Sequence, residues 1–280
     1  MWEYIVGLLA LLRAFTGLRF FLIKRRVKGP VKIIPEAEPF FNRASGSKVA
    51  LLLHGFTSSP REFRGLSEFL DKKGISSYAP LLPGHGTTPE RLAVLKYYQL
   101  IEFVQEQINM LVKDYEEIYL VGSSFGGNLA LLCTNNSSKI KGIITLGTPI
   151  FFRRHNLNKY IILPILRRVK LFQKKPKRVR DFIDTHNGSY KVVPLSAAYE
   201  MSKILELSKK ELKNISKPIL VMHVENDSVI SEESHKYILN HVSSKNRMEF
   251  KVPESNHVAL LGKYANLANK KIYSFIQFKG

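Results

Sequence analysis

The chain has 280 residues, 45% of them hydrophobic, and carries 43 basic against 23 acidic residues for a formal net charge of +20. That length and apolar content are enough to bury one large core, and a chain of this size is often a single domain. Cys133 is the only cysteine, which excludes an intrachain disulfide and any multi-cysteine zinc or redox motif. The charge favours an acidic partner: an anionic membrane, nucleic acid or an anionic substrate. No zinc-finger, helix-turn-helix or aromatic RNA-binding signature is present, so no nucleic acid partner is expected.

Residues 4–23 are mostly apolar, interrupted by Arg13, Thr16 and Arg19. The run is long enough to span a bilayer. An arginine near the middle of a spanning helix costs about 2.5–3.5 kcal/mol. Arg13, Thr16 and Lys24 fall broadly on one helical side, which also suits a helix lying in the interface. Spanning and lying on the membrane both stay open. Glu3 stands where a secretory signal carries basic residues, and no small-x-small site follows, so a cleaved leader is not expected. Lys24, Arg25, Arg26, Lys28 and Lys32 come next without an acid among them. By the positive-inside rule this flank, and the domain behind it, stay on the cytoplasmic side of the cell membrane. Residues 1–35 are therefore a membrane-associating segment with a basic linker, and 36–280 are the folded domain.

From Phe40 onward, short apolar runs alternate with helical patterns. Phe40-Phe41-Asn42 predicts a short strand, and Lys48–Leu53 a longer buried one that runs into His54-Gly55-Phe56-Thr57. Ser58-Ser59-Pro60 opens a helix carrying Phe63, Leu66, Phe69 and Leu70 on one face, closed by Gly74. A strand follows over 75–79, then a long helix marked by Tyr98, Ile101, Val104, Ile108, Leu111 and Val112. Ile118–Val121 is the next strand, and Leu129–Cys133 lies on the helix after it. Gly142–Leu146 and Pro218–Val224 are further strands, with a helix over 200–212 between them, and Arg247–Val252 is the last. This alternation predicts an α/β fold with a mainly parallel sheet covered by helices on both faces.

Between the strand at 118–121 and its helix stands Gly122-Ser123-Ser124-Phe125-Gly126. A strand running into G-x-S-x-G describes a nucleophile elbow that lifts the Ser124 hydroxyl above the sheet. Gly122 and Gly126 lie where a strand reversing into a helix brings backbone too close for a side chain. A serine needs a base, and the base an orienting acid. Downstream, one strand ends in Glu225-Asn226-Asp227 and the next leads into Pro253-Glu254-Ser255-Asn256-His257. Both lie where a parallel sheet gathers its ligands. Asp227 is the expected acid, with Glu225 as its competitor, and His257 the expected general base. Two N–H groups are needed for an oxyanion. Phe125 follows the serine, and Phe56 lies on the loop after the strand at 48–53, where Gly55 gives the backbone room. His54 and His85 are expected to shape their loops. His223 falls within a strand, and His155, His186, His235 and His241 are expected at the surface, with no spacing that points to a metal.

These pieces, together with Ala79-Pro80-Leu81-Leu82-Pro83-Gly84-His85-Gly86, make the chain resemble an α/β-hydrolase. Within that superfamily it is similar to the bacterial carboxylesterase and monoacylglycerol lipase group. The resemblance covers residues 48 to about 275 and leaves residues 1–35 as an addition. It implies an α/β-hydrolase fold, a Ser124–His257–Asp227 triad, no cofactor, and a small-molecule or lipid ester as substrate. It also implies a cap insertion at about 150–197. Between Phe151 and Arg180 that stretch holds eleven basic residues and no acid, interleaved with apolar ones. A basic, apolar cap beside an apolar N-terminal segment fits docking on an anionic membrane surface. Two other functions stay open: acyl or peptidyl transfer or peptidase activity on the same triad, and a non-catalytic membrane-bound binding module.

Overall fold

The structure is a computed structural model that describes residues 2–153, 162–186, 188–253 and 259–278. The strands are β1 (Phe40–Asn42), β2 (Lys48–Leu53), β3 (Ser76–Ala79), β4 (Glu117–Ser123), β5 (Ile140–Leu146), β6 (Phe172–Lys174), β7 (Val192–Pro194), β8 (Ile219–Val224) and β9 (Arg247–Val252). Seven of them form one sheet in the order β1-β3-β2-β4-β5-β8-β9. Every neighbouring pair in it is parallel except the edge pair β1–β3. β6 and β7 pair with each other, antiparallel, in a separate two-stranded sheet.

The central strands are mostly apolar because helices cover both of their faces. Alternate residues serve two cores. Val49, Leu51 and Leu53 of β2 join Ile118 and Leu120 of β4 on one face, packed under Val104, Ile108 and Leu129. Ala50 and Leu52 join Tyr119 and Val121 on the other, packed against Phe63, Leu66, Leu70, Ile272 and Phe275. The helices Tyr97–Asp114 and Phe125–Cys133 thus lie on the first face, and Arg64–Asp71 and Ala265–Gln277 on the second. This is the expected α/β arrangement, with β4 at the centre.

The stretch between β5 and β8 adds a short helix Leu163–Leu166, the β6–β7 pair and the helix Lys177–His186. The next helix runs over Leu195–Glu211, starting five residues before the expected position. Pro194 supplies an extended N-cap, and Leu195, Ala198, Met201 and Leu205 continue one buried face through its first turns. Ser196-Ala197-Ala198 hides that face in the sequence because small residues carry little apolar signal.

The N-terminal helix spans Trp2–Arg26 and is long and apolar enough to cross a membrane. Trp2, Tyr4, Val6, Leu8, Leu11, Phe15, Leu18 and Phe21 are all exposed. It is therefore not an amphipathic helix folded onto the core.

Candidate active site

β4 hands the chain to the helix Phe125–Cys133 through one residue, Ser124, whose φ of 49° and ψ of −119° are strained for a side-chain-bearing residue. The turn closes because a Cβ at Gly122 would collide with the backbone of Gly126 and Gly127, and one at Gly126 with the Leu53 carbonyl of β2. The Ser124 N–H donates to Leu146 O at 2.7 Å, anchoring the elbow to the end of β5. The Gly147 N–H in turn donates to Met222 O at 2.9 Å, and the Glu225 N–H to Val252 O at 2.9 Å. A ladder of backbone bonds therefore runs from the elbow to β8 and β9.

The loop after β2 lies against the serine: a Cβ on Gly55 would sit 3.5 Å from Ser124 Cβ. The Phe56 and Phe125 rings meet edge to face at 5.9 Å. Among the described residues, the N–H groups of Phe56 and Phe125 donate no hydrogen bond, so both remain available to an oxyanion. The loop is held by Glu62, which the sequence analysis did not single out. Glu62 is buried, and its carboxylate accepts from the Gly55 N–H at 2.8 Å and from Ser58 Oγ at 3.1 Å. The only sequence hint was a carboxylate beside Phe63 on an otherwise apolar face.

His54 and His85 shape this region rather than titrate in it. His54 Nε2 accepts from the Leu82 N–H at 3.0 Å, so Nδ1 carries the proton and donates to Gly55 O at 3.0 Å. His85 Nδ1 lies 3.0 Å from Pro83 O. Burial lowers the His54 pKa well below its usual value and that of His85 to about 4, so both are neutral at pH 7.

Of the two candidate acids, Glu225 points to solvent and Asp227 is 5% exposed. Asp227 Oδ1 accepts from the N–H groups of Val229 at 2.7 Å and Ile230 at 3.1 Å, which fixes the carboxylate just past the end of β8. His257 lies outside the described residues, in the segment that follows β9, as His155 lies outside them in the stretch after β5.

One expectation is corrected. His235 is not at the surface but 3% exposed, because the helix Glu233–His241 turns Ser234, His235 and Ile238 inward. It stacks on His223, and Glu249 of β9 lies beside the pair, so these three side chains have spacing that suits a metal ion. Sequence spacing alone missed this because the residues come from three separate elements.

The profile of the serine aminopeptidase S33 family (Hydrolase_4) matches residues 45–261. A carboxylesterase of Bacillus subtilis (strain 168) is 26% identical over 239 residues, covering 85% of this chain and 95% of the relative. A thermostable monoacylglycerol lipase of Bacillus sp. (strain H-257) is 25% identical over 236 residues, covering 82% and 90%. A solved structure from work on the metagenome-derived lipolytic enzymes LipS and LipT superposes with a TM-score of 0.78 at 22% identity, covering 88% of this chain and 99% of that one. The match over most of the chain, on a seven-stranded sheet with an elbow at its central strand, places this protein in the serine aminopeptidase S33 family of α/β-hydrolases.

Proposed function

We propose that the protein is a serine hydrolase of carboxylic esters, acting on monoacylglycerol-like lipids or related acyl esters at a membrane surface. The observation that carries this is the strained Ser124 with the Gly55–Phe56 loop against it and a buried, twice-bonded Asp227 at the end of β8. The carboxylesterase and monoacylglycerol lipase relatives support the ester as substrate class.

In this mechanism Ser124 Oγ attacks the ester carbonyl carbon while His257 takes the hydroxyl proton. The Phe56 and Phe125 N–H groups hold the oxyanion, and Asp227 holds the imidazole in the tautomer that accepts. Collapse breaks the C–O bond, and His257 gives its proton to the departing alcohol. Water, deprotonated by His257, attacks the acyl-enzyme and releases the acid. The exposed apolar helix Trp2–Arg26 and the basic stretch at 151–180 support delivery of the site to an anionic membrane.

The test is hydrolysis of p-nitrophenyl esters from short to long acyl chains, followed by monoacylglycerols in anionic vesicles. Turnover that rises with chain length and falls about 10⁴-fold or more in Ser124→Ala is the expected result. A maximum at the shortest esters would remove the lipid and keep the esterase. The family description gives one competing reading, peptide hydrolysis on the same serine. Aminoacyl p-nitroanilides turned over faster than any ester would favour it.

A further inference from the structure

Behind the Asp227 loop lies a cavity of about 220 Å³ whose wall includes Thr148, Arg153, His223, Asp227, His235 and Lys251. His223 comes from β8, His235 from the helix Glu233–His241, and Glu249 from β9 next door. The two imidazole rings are parallel to within 1°, with centroids 3.6 Å apart. Glu249 Oε1 lies 3.0 Å from His235 Nε2 and 3.8 Å from His223 Nδ1. One ligand atom from each of the three residues lies within 4.8 Å of the other two.

Polar satisfaction fails at this place. Among the described residues, His223 Nδ1 and both ring nitrogens of His235 are buried without a hydrogen-bond partner, and so is Thr148 Oγ1 on the same wall. The short approach of Glu249 to His235 is off the line a hydrogen bond needs. Native interiors rarely leave so many polar atoms together without something between them. Burial, and at His223 the neighbouring ring, lower both imidazoles to about 4, so each is neutral at pH 7 with a lone pair to give.

We propose that His223, His235 and Glu249 bind a divalent transition ion of the zinc class. Two imidazoles and a carboxylate are a donor set that zinc accepts, at about 2.0–2.2 Å from each. Tetrahedral bonds of that length set ligand atoms roughly 3.3 Å apart, between the two spacings that Glu249 makes. The stacked ring planes are parallel, so binding one ion between them requires a ring to turn about its Cβ–Cγ bond. His223 and His235 also line the cavity, which has room for a water as a fourth ligand. Calcium and magnesium are disfavoured because they take oxygen ligands, whereas imidazole suits zinc, copper and nickel. The nearby cations are already matched in part: Glu232 lies 3.3 Å from Lys236 and 3.9 Å from Lys251. A bound ion would clamp β8, β9 and the helix Glu233–His241, the three elements that frame the loop carrying Asp227.

The test uses the full chain, without an affinity tag and stripped with EDTA. Zn²⁺ is titrated by calorimetry and Co²⁺ by absorbance. The expected result is one ion per chain, a visible Co²⁺ spectrum of a tetrahedral site that Zn²⁺ displaces, and a higher Tm with Zn²⁺ bound. Glu249→Gln, an exposed and nearly isosteric change, and His235→Asn should each weaken binding about tenfold or more. Glu249→Gln is expected to leave the Tm of the stripped protein unchanged. No saturable binding in the wild-type chain, or equal affinity in Glu249→Gln, overturns the proposal. Each titration is read without ester, so a failure of ester hydrolysis leaves the outcome intact.

Discussion

At Glu62 a buried carboxylate holds the loop after β2 with both oxygens, one accepting from the Gly55 N–H and one from the Ser58 hydroxyl. Glu62→Ala leaves that N–H buried and unpaired, a cost of about 1–3 kcal/mol. The expected outcome is a lower Tm together with a lower kcat on a soluble ester, with Glu62→Gln recovering part of both. At Asp227 the prediction separates two acids that stand two residues apart. Asp227→Asn should lower kcat by about 10⁴-fold while leaving KM nearly unchanged, because the wrong imidazole tautomer is held. Glu225→Gln, on a side chain in solvent, should change neither parameter. Equal losses from both substitutions would return the acid to an open choice.

Among the elements, the helix Trp2–Arg26 leaves most of its described apolar side chains exposed. The domain grips the chain just after it: Arg91 Nη2 donates to Gly29 O and to Pro30 O at 2.9 Å, and the Ile34 N–H donates to Gly86 O at 2.8 Å. A truncation that removes residues 1–26 therefore spares those bonds. Such a protein is expected to keep its kcat/KM on a soluble ester and to lose sedimentation with anionic vesicles. Vesicle binding that survives the truncation would move the attachment to the basic stretch at 151–180. The cap insertion at about 150–197, which holds that stretch, was legible as an interruption in the strand–helix rhythm. Its two short strands were not, since β6 and β7 are three residues each and pair only with each other.

For the molecule as a whole, four histidines among the described residues are buried and neutral: His54, His85, His223 and His235. Burial lowers each below the usual 6.5, to about 4 for His85, His223 and His235. Between pH 6.5 and 4 the unfolded chain thus binds protons that the folded chain refuses. Stability is complete above pH 6.5 and is lost as the pH falls through that window. Each histidine held neutral contributes a slope of about 1.4 kcal/mol per pH unit there. Thermal melts from pH 7 to 4 should show a falling Tm, and His85→Gln should flatten the slope. A Tm that stays level across the window would mean that these rings are protonated without cost.

The sequence by itself determined the sheet and the elbow. Apolar strands buried on two faces and a serine between glycines are local patterns, and local sterics and solvation dictate them. Ser124, Gly122 and Gly126 belong to that class, because a tight strand-to-helix turn leaves no space for other residues. Tertiary structure alone decided the rest. The burial of Asp227, already the expected acid, and the exposure of Glu225 depend on which of the two the loop turns inward. The role of Glu62 depends on a backbone N–H seven residues away. The meeting of His223, His235 and Glu249 depends on three elements that only packing brings together. Burial and proximity are properties of the folded chain, and no spacing along the sequence encodes them.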